Sequence, residues 1–253
     1  MAGLRPGRGA GKSNFLNVLL AHFAKCPDAQ LLLIDANRVQ MAPWRDRAIA
    51  FADHDPDSAI AVVELARQEM DRRLSWMEGL PGAPVALTRD LSREHGVPVW
   101  WLFVDELAYH VSVAGTPAQQ KAFYAGLRDL VARGRAAGVG AIVATQRPTA
   151  DLIPTSLRDL FDIRVAFRTM TTTSSDVILG DNFAKRGYSA TDIDLTARGV
   201  AWLFGEGTEP VRVKVPLIPT DTRVDLAVTT AIHKTPAALA AAIPAAREPE
   251  DKS

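Results

Sequence analysis

The ten residues VPVWWLFVDE, Val97 to Glu106, constrain this chain more than any other stretch. The run is unbroken and apolar, rich in β-branched and aromatic side chains, and too short for a typical helix. Such a run fits a strand covered on both faces in a parallel sheet. It ends in two acids. Adjacent carboxylates have no place inside such a strand, but the carboxyl ends of strands in open α/β sheets form the crevice where ligands bind. Asp105 and Glu106 therefore read as site chemistry facing a cation or a phosphate.

The first residues offer the phosphate side of that pairing. In GRGAGKSN the glycines Gly7, Gly9 and Gly11, with Arg8 and Ala10 between them, lead into Lys12, Ser13 and Asn14 and an amphipathic run to Phe23. A glycine loop opening a helix cradles phosphates with its backbone N–H groups and the positive helix end. Lys12 would reach the β and γ phosphates and Ser13 would ligate Mg²⁺. The pattern G-x-x-x-x-G-K-[ST] has Gly where this chain has Pro6, whose φ is fixed and which lacks an N–H. Met1 to Arg5 is too short and polar for the strand that precedes such a loop, so the first strand is expected to be missing. On this stretch alone a flexible, cationic, glycine-rich terminus is an equal reading; the acids downstream favour the phosphate loop.

Other apolar runs repeat the strand pattern. AQLLLID (Ala29 to Asp35) is a short buried strand ending in Asp35, read equally as a loop cap or a functional acid. VGAIVAT (Val139 to Thr145) leads into Gln146, and DIRVAFR (Asp162 to Arg168) alternates, placing Arg164 and Arg168 on one face. RGVAWLF and PVRVKV read as an antiparallel hairpin around Gly205-Glu206-Gly207. Helical spacing marks Asp57 to Met77, with Arg67, Asp71, Arg72 and Arg73 outward, and Thr116 to Ala137. Strands at Leu31, Val99, Gly140 and Ile163 alternating with helices predict an α/β fold, a mostly parallel sheet flanked by helices with an antiparallel edge hairpin. Residues 1–225 read as one domain and 226–253 as an Ala/Pro-rich, partly disordered tail.

Composition excludes several alternatives. The 29 basic residues balance 29 acidic ones, so no whole-molecule field draws a polyanion, and contact with nucleic acid must come from a few local residues. The lone Cys26 excludes an intrachain disulfide and a cysteine-rich zinc site. His110, just past the acids, reads as structural. No apolar run approaches the ~20 residues of a membrane span, which predicts an intracellular, cytoplasmic protein, touching the inner face of the cell membrane only through partners or missing domains.

One rim would then collect phosphoryl-transfer chemistry. The loop and Lys12 hold phosphate, Ser13 and Asp105 hold Mg²⁺, Glu106 activates water, and Gln146 senses the γ phosphate. The cation opposite the leaving charge would be Arg164 or Arg168, for which a surface pair or an ion pair with Asp162 is the plain alternative. Trp100 or Trp101 could stack an adenine, though core packing accounts for both.

Taken in order, GRGAGKSN, LLLID, EMDRR, WLFVDELA, GRAAGVGAIVATQRP, RVAFR, VILG, RGVAWLF and EPVRVKV resemble the motor domain of the FtsK/SpoIIIE family of double-stranded DNA translocases, nearest to the transfer proteins of actinobacterial conjugative plasmids and integrated elements. The resemblance covers about Gly7 to Val215. It implies a RecA-like P-loop NTPase fold, ATP and Mg²⁺ as cofactors, and a homo-hexameric ring threading duplex DNA. By position it implies Lys12 and Ser13 in the Walker A motif, Asp105 and Glu106 in Walker B, Gln146 as polar sensor, and Arg164 as arginine finger with Arg168 in reserve. Where many relatives carry a basic pore-loop residue this chain has TMTTTSSD, which shifts the expected DNA contact to Lys185, Arg186 or Arg198. The family's membrane anchor, ring-stacking domain and winged helix are not recognisable in these residues. Two other readings compete: a secretion-type ATPase of related fold that moves protein, and a truncated, non-hydrolysing remnant that binds nucleotide or partners.

Overall fold

A computed structural model describes residues 11–205 and 207–234. Pro6, the residues Gly7, Arg8, Gly9 and Ala10, and the expected missing strand lie outside these, as do Glu206 and residues 235–253.

The chain opens with α1 (Lys12–Ala24) and continues through β1 (Ala29–Ile34), β2 (Ala50–Ala52), α2 (Pro56–Glu78), α3 (Arg89–His95) and β3 (Val99–Val104). There follow α4 (Leu107–Ser112), α5 (Pro117–Arg133), β4 (Val139–Val143), α6 (Thr155–Arg158) and β5 (Ile163–Phe167). The last elements are α7 (Thr172–Leu179), β6 (Val200–Gly205), β7 (Val211–Lys214) and α8 (Thr220–Thr230). The two longest helices start where local chemistry dictates. Asp55 caps α2 by accepting the Ser58 N–H, and Thr116 with Gln119 forms a capping box on α5, each with Pro in the first turn.

β2, β1, β3 and β4 form a parallel sheet in that order. Successive residues of β1 alternate between two cores. Leu32 and Ile34 pack with Trp100, Leu102 and Val104 under α2 and α5. Leu31 and Leu33 pack with Phe103 beneath Leu16 and Leu20 of α1, Trp44, and Ala227 of α8. Each fully buried leucine or isoleucine here is worth about 1.5–3 kcal/mol, and the one polar residue inside β1, Gln30, is fully buried with its amide donating to the His233 carbonyl at 2.9 Å. Trp100 lies in the first core, and Trp101 stacks on Phe23 of α1 with ring centroids 4.6 Å apart. Both tryptophans are packing residues. Gly140 opposite Trp101 is required by that ring, since a Cβ there would lie 2.5 Å from it.

β5, β6 and β7 form a separate antiparallel sheet. The strand at Ile163, expected in the parallel sheet, pairs instead with β6, with Arg164 opposite Phe204. Its alternating pattern marks a one-sided strand, and continuous apolar runs mark the two-sided ones. Four further readings are corrected. β2 lies between the strand ending at Asp35 and the helix beginning near Asp57, where the sequence reading places no strand. The TMTTTSSD segment is largely helix α7, capped by Thr171 accepting the Ser174 N–H. α8 runs through the 225/226 boundary, and Ala227 is buried in the core. Arg73 points inward, fully buried, with Nε 2.6 Å from Glu69 and Nη1 donating to the Ala137 carbonyl at 3.0 Å.

Candidate functional site

Parallel register aligns the carboxyl ends of the strands. Ile34 stands opposite Ala52 on one side and Val104 on the other, and Val104 stands opposite Val143. The ladder continues one step further, with the Asp35 N–H donating to Ala52, Asp105 to Ile34 and Ala144 to Val104. Asp53, Asp35 and Asp105 therefore emerge at one level of the rim, with Glu106 two residues past β3 and Thr145 and Gln146 just past β4.

α1 delivers Lys12 to this rim. Its Nζ donates to the Asp105 backbone carbonyl at 2.7 Å and lies 3.3 Å from Asp105 Oδ1 and 3.7 Å from Glu106 Oε2. Asp105 is fully buried; its other oxygen, Oδ2, accepts from Asn37 Nδ2 at 2.9 Å. Glu106 stands at the residue before α4, its side chain turned to the end of β4 and not to the helix N–H groups. Its Oε1 accepts from the Thr145 hydroxyl at 2.6 Å, and its carboxylate also accepts the Gln146 N–H at 3.0 and 3.1 Å. The exposed Gln146 side chain leaves the strand end beside that acid. The two acids are thus held from different strands, with the lysine between them.

Asp35 is fully buried, with Oδ2 accepting the Met41 N–H at 2.8 Å and Oδ1 without a hydrogen bond among the described residues. Burial pushes this carboxyl up from its ordinary range, against the pull of the Met41 N–H, and the charge of Asp105 acts in the same direction as burial.

Gly11 sits immediately before α1 at φ 122, a conformation open to glycine, and a Cβ there would lie 2.7 Å from the Gly199 Cα and 2.9 Å from the Phe167 ring. Ser13 is in the first turn beside Lys12. Asn14 faces the C-terminal segment: Nδ2 donates to Pro216 at 2.6 Å and Oδ1 accepts the Ile218 N–H at 3.0 Å. That places its side chain in packing and away from Lys12's partners.

The arginines lie with the antiparallel sheet. Arg164 Nη1 donates to the Leu179 carbonyl at 3.1 Å and lies 3.7 Å from Asp159, with its guanidinium 4.7 Å from the Phe204 ring centroid. Asp162, the plain alternative partner for these arginines, lies 3.1 Å from Arg135. Arg168 follows β5, with Nη1 3.6 Å from the Met170 sulfur. Lys185 and Arg198 are exposed, and Arg186 is tied to Glu209 at 2.8 Å and lies over Phe183.

The donor set fits a magnesium nucleotide: a hydroxyl at Ser13, carboxylate oxygen at Asp105 and a lysine beside both suit a hard dication and phosphate. Asn37 and Thr145 went unrecognised in sequence. Thr145 had a signal, a hydroxyl closing an apolar strand; Asn37 had none, since it lies 68 residues from Asp105.

The chain is 27% identical over 228 residues to the DNA translocase FtsK of Chlorobaculum tepidum, a match covering 83% of this chain and 26% of that protein. With FtsK of Helicobacter pylori strain J99 it shares 29% over 199 residues, 76% of this chain and 23% of that one. The resemblance to the FtsK/SpoIIIE translocases is borne out. No protein-family model matches the sequence. The FtsK-like chain spans about a quarter of the length of these curated relatives. Among solved structures, the conjugation coupling protein TcpA of pCW3, in its monomer form with ATPγS, superposes with a TM-score of 0.73 at 16% identity, covering 88% of this chain and 62% of TcpA. The cytoplasmic domain of the Type VII secretion ATPase EccC from Thermomonospora curvata superposes at 0.66 and 20% identity, over 89% and 27% of the respective chains. These likenesses show a shared α/β fold.

Proposed function

We propose that this FtsK-like chain is an ATP-hydrolysing motor unit that moves double-stranded DNA, working as a homo-hexamer. The carrying observation is the convergence of Lys12 on Asp105 and Glu106, with Nζ 3.3 Å and 3.7 Å from the two carboxylates. The relatives supply the direction: they are named as DNA translocases and a conjugation coupling protein.

In this reading Ser13 and Asp105 hold Mg²⁺, and the glycine loop from Gly7 to Gly11 binds phosphate with its N–H groups. The ion, when bound, neutralises charge on the phosphates. Lys12 exchanges its present carboxylate contacts for phosphate oxygens. Glu106, its carboxylate fixed by Thr145 and the Gln146 N–H, orients the attacking water and takes its proton, and Gln146 senses the γ phosphate. Arg164, with Arg168 in reserve, acts on the site of a neighbouring subunit. Lys185, Arg186 and Arg198 are the local cations available to DNA. Among the described residues no helix is long and apolar enough to cross a membrane; membrane contact would come through partner proteins or further domains.

ATPase assays with and without duplex DNA test the reading. Glu106→Ala should abolish hydrolysis, and DNA should stimulate the unaltered chain; turnover indifferent to DNA would favour the protein-moving alternative that the EccC-like fold keeps open. Absence of micromolar nucleotide binding would instead favour a non-hydrolysing remnant.

A further inference from the structure

The turn after β1 reaches the Asp105 carboxylate from the side opposite Lys12. Asn37 Nδ2 donates to Oδ2 at 2.9 Å while Lys12 Nζ lies 3.3 Å from Oδ1, so each oxygen has its own partner and the carboxylate plane is set from both sides. The turn is anchored at each end. The Arg38 N–H donates to the Asp35 carbonyl at 3.0 Å, and the Met41 N–H donates to Asp35 Oδ2 at 2.8 Å. Arg38 adopts φ 59, in the left-handed region that an arginine rarely occupies, and its guanidinium lies 2.9 Å from Asp53 at the end of β2. A locally strained residue held between two strand-end aspartates fixes where Asn37 points.

We infer that Asn37 is a positioning residue for Asp105, and that the turn from Asp35 to Arg38 sets the orientation in which that carboxylate receives a nucleotide-bound divalent cation. The inference rests on the nucleotide reading above. The residue type at 37 matters. An amide donates to Oδ2 without bringing charge, a carboxylate would repel Asp105, and a lysine would compete with the cation. Asn37 does not ligand the ion; it keeps Asp105 from rotating into a two-oxygen pair with Lys12. Outer partners of metal ligands typically govern 10–100-fold in metal affinity.

The test titrates Mn²⁺, read by its electron paramagnetic resonance, into the whole chain with ATPγS, comparing the unaltered protein, Asn37→Ala, and Val39→Ala. Val39, 68% exposed in the same loop, controls for loosening of the loop. Asn37→Ala should weaken Mn²⁺ binding about 10-fold while leaving metal-free ATPγS affinity within about 2-fold, and Val39→Ala should change neither. Equal Mn²⁺ affinity in Asn37→Ala and the unaltered chain, or equal loss in Val39→Ala, would overturn the inference and leave the nucleotide reading intact. An unaltered chain that binds no ATPγS, with or without Mn²⁺, would remove the nucleotide reading and this inference together.

Discussion

The two sheets of this molecule treat charge in opposite ways. The parallel sheet buries its central strand β1 throughout and most of β3, and releases its acids only at the carboxyl rim, where each is held by a neighbour that follows another strand: Asp105 by Asn37, Glu106 by Thr145. The antiparallel sheet is half-exposed, and carries its arginines within and beside its strands, over aromatic rings such as Phe204. The rim is a self-contained acid site with one lysine, and the second sheet is a supply of cations pointed elsewhere. The difference follows from connectivity. Parallel strands need crossovers whose helices cover both faces, whereas an antiparallel sheet can leave one face to solvent.

The sharpest way to break the comparison is Arg164→Ala. If that sheet serves a neighbouring subunit, turnover falls on the order of 10³-fold, ATP affinity stays near normal, and mixed rings containing intact arginines regain activity. Equal loss of binding and turnover would show that Arg164 only braces its own sheet through Leu179 and Asp159.

The seam between the regions comes next. Gly11→Ala should cost about 3 kcal/mol, from an unfavourable φ and a contact with the Gly199 backbone, measured as a lowered urea midpoint. An unchanged midpoint would mean that the sheets do not meet tightly there.

A third test concerns the parallel region alone. His110, on α4 just past the rim acids, is buried, stacks on Phe123 with ring centroids 4.9 Å apart, and has no partner for either ring nitrogen among the described residues. Burial, with a smaller contribution from His54, pushes its pKa down to about 4. The unfolded chain therefore binds more protons than the folded one between pH 6.5 and 4, so stability falls as pH drops through that window. Between pH 7 and pH 5 the His110 contribution to that loss should be on the order of 2 kcal/mol. His110→Phe should flatten that part of the urea-midpoint profile; an unaltered slope would show that the imidazole is not the group titrating.

The smallest effect is expected on the outer helices. Arg133 bridges Asp129 and Asp71 at 2.6 and 2.8 Å, joining α5 to α2. Hydrogen bonds from Arg133, and then from Arg67, hold the Asp129 carboxyl down to about 2. This contribution is present above the unfolded value near 4 and is lost as pH falls toward 2. Being exposed, the bridge should be worth about 0.5 kcal/mol, read as the stability change in Arg133→Ala at pH 7. A cost above about 2 kcal/mol would mean that the bridge is effectively desolvated.

Much of the parallel region was legible because burial on both faces leaves a strong mark. Continuous runs such as AQLLLID and WLFVDE can hardly be anything but covered strands, and acids at their ends stand out. What was not legible depends on pairing at long range. Three residues of β2 are too few to show a period, and Asn37 acquires meaning only through the register that sets β1 beside β3. Arg73 reads as a surface charge until Glu69 and the Ala137 carbonyl are seen to take it inward. The antiparallel sheet misled for a different reason. DIRVAFR carries the alternation of a one-sided strand, but its place after a series of α/β repeats suggested one more parallel strand.

The contact of Gly11 with Gly199 has a mechanical consequence. With no side chain between them, the start of α1 and the turn before β6 lie main chain to main chain, flanked by the packed rings of Phe15 and Phe167, so little room is left for relative displacement. A push of a few tenths of an ångström at the lysine-bearing helix must be passed to the hairpin or resisted by it. The joint acts as a stiff coupling between the acid rim and the arginine-bearing sheet.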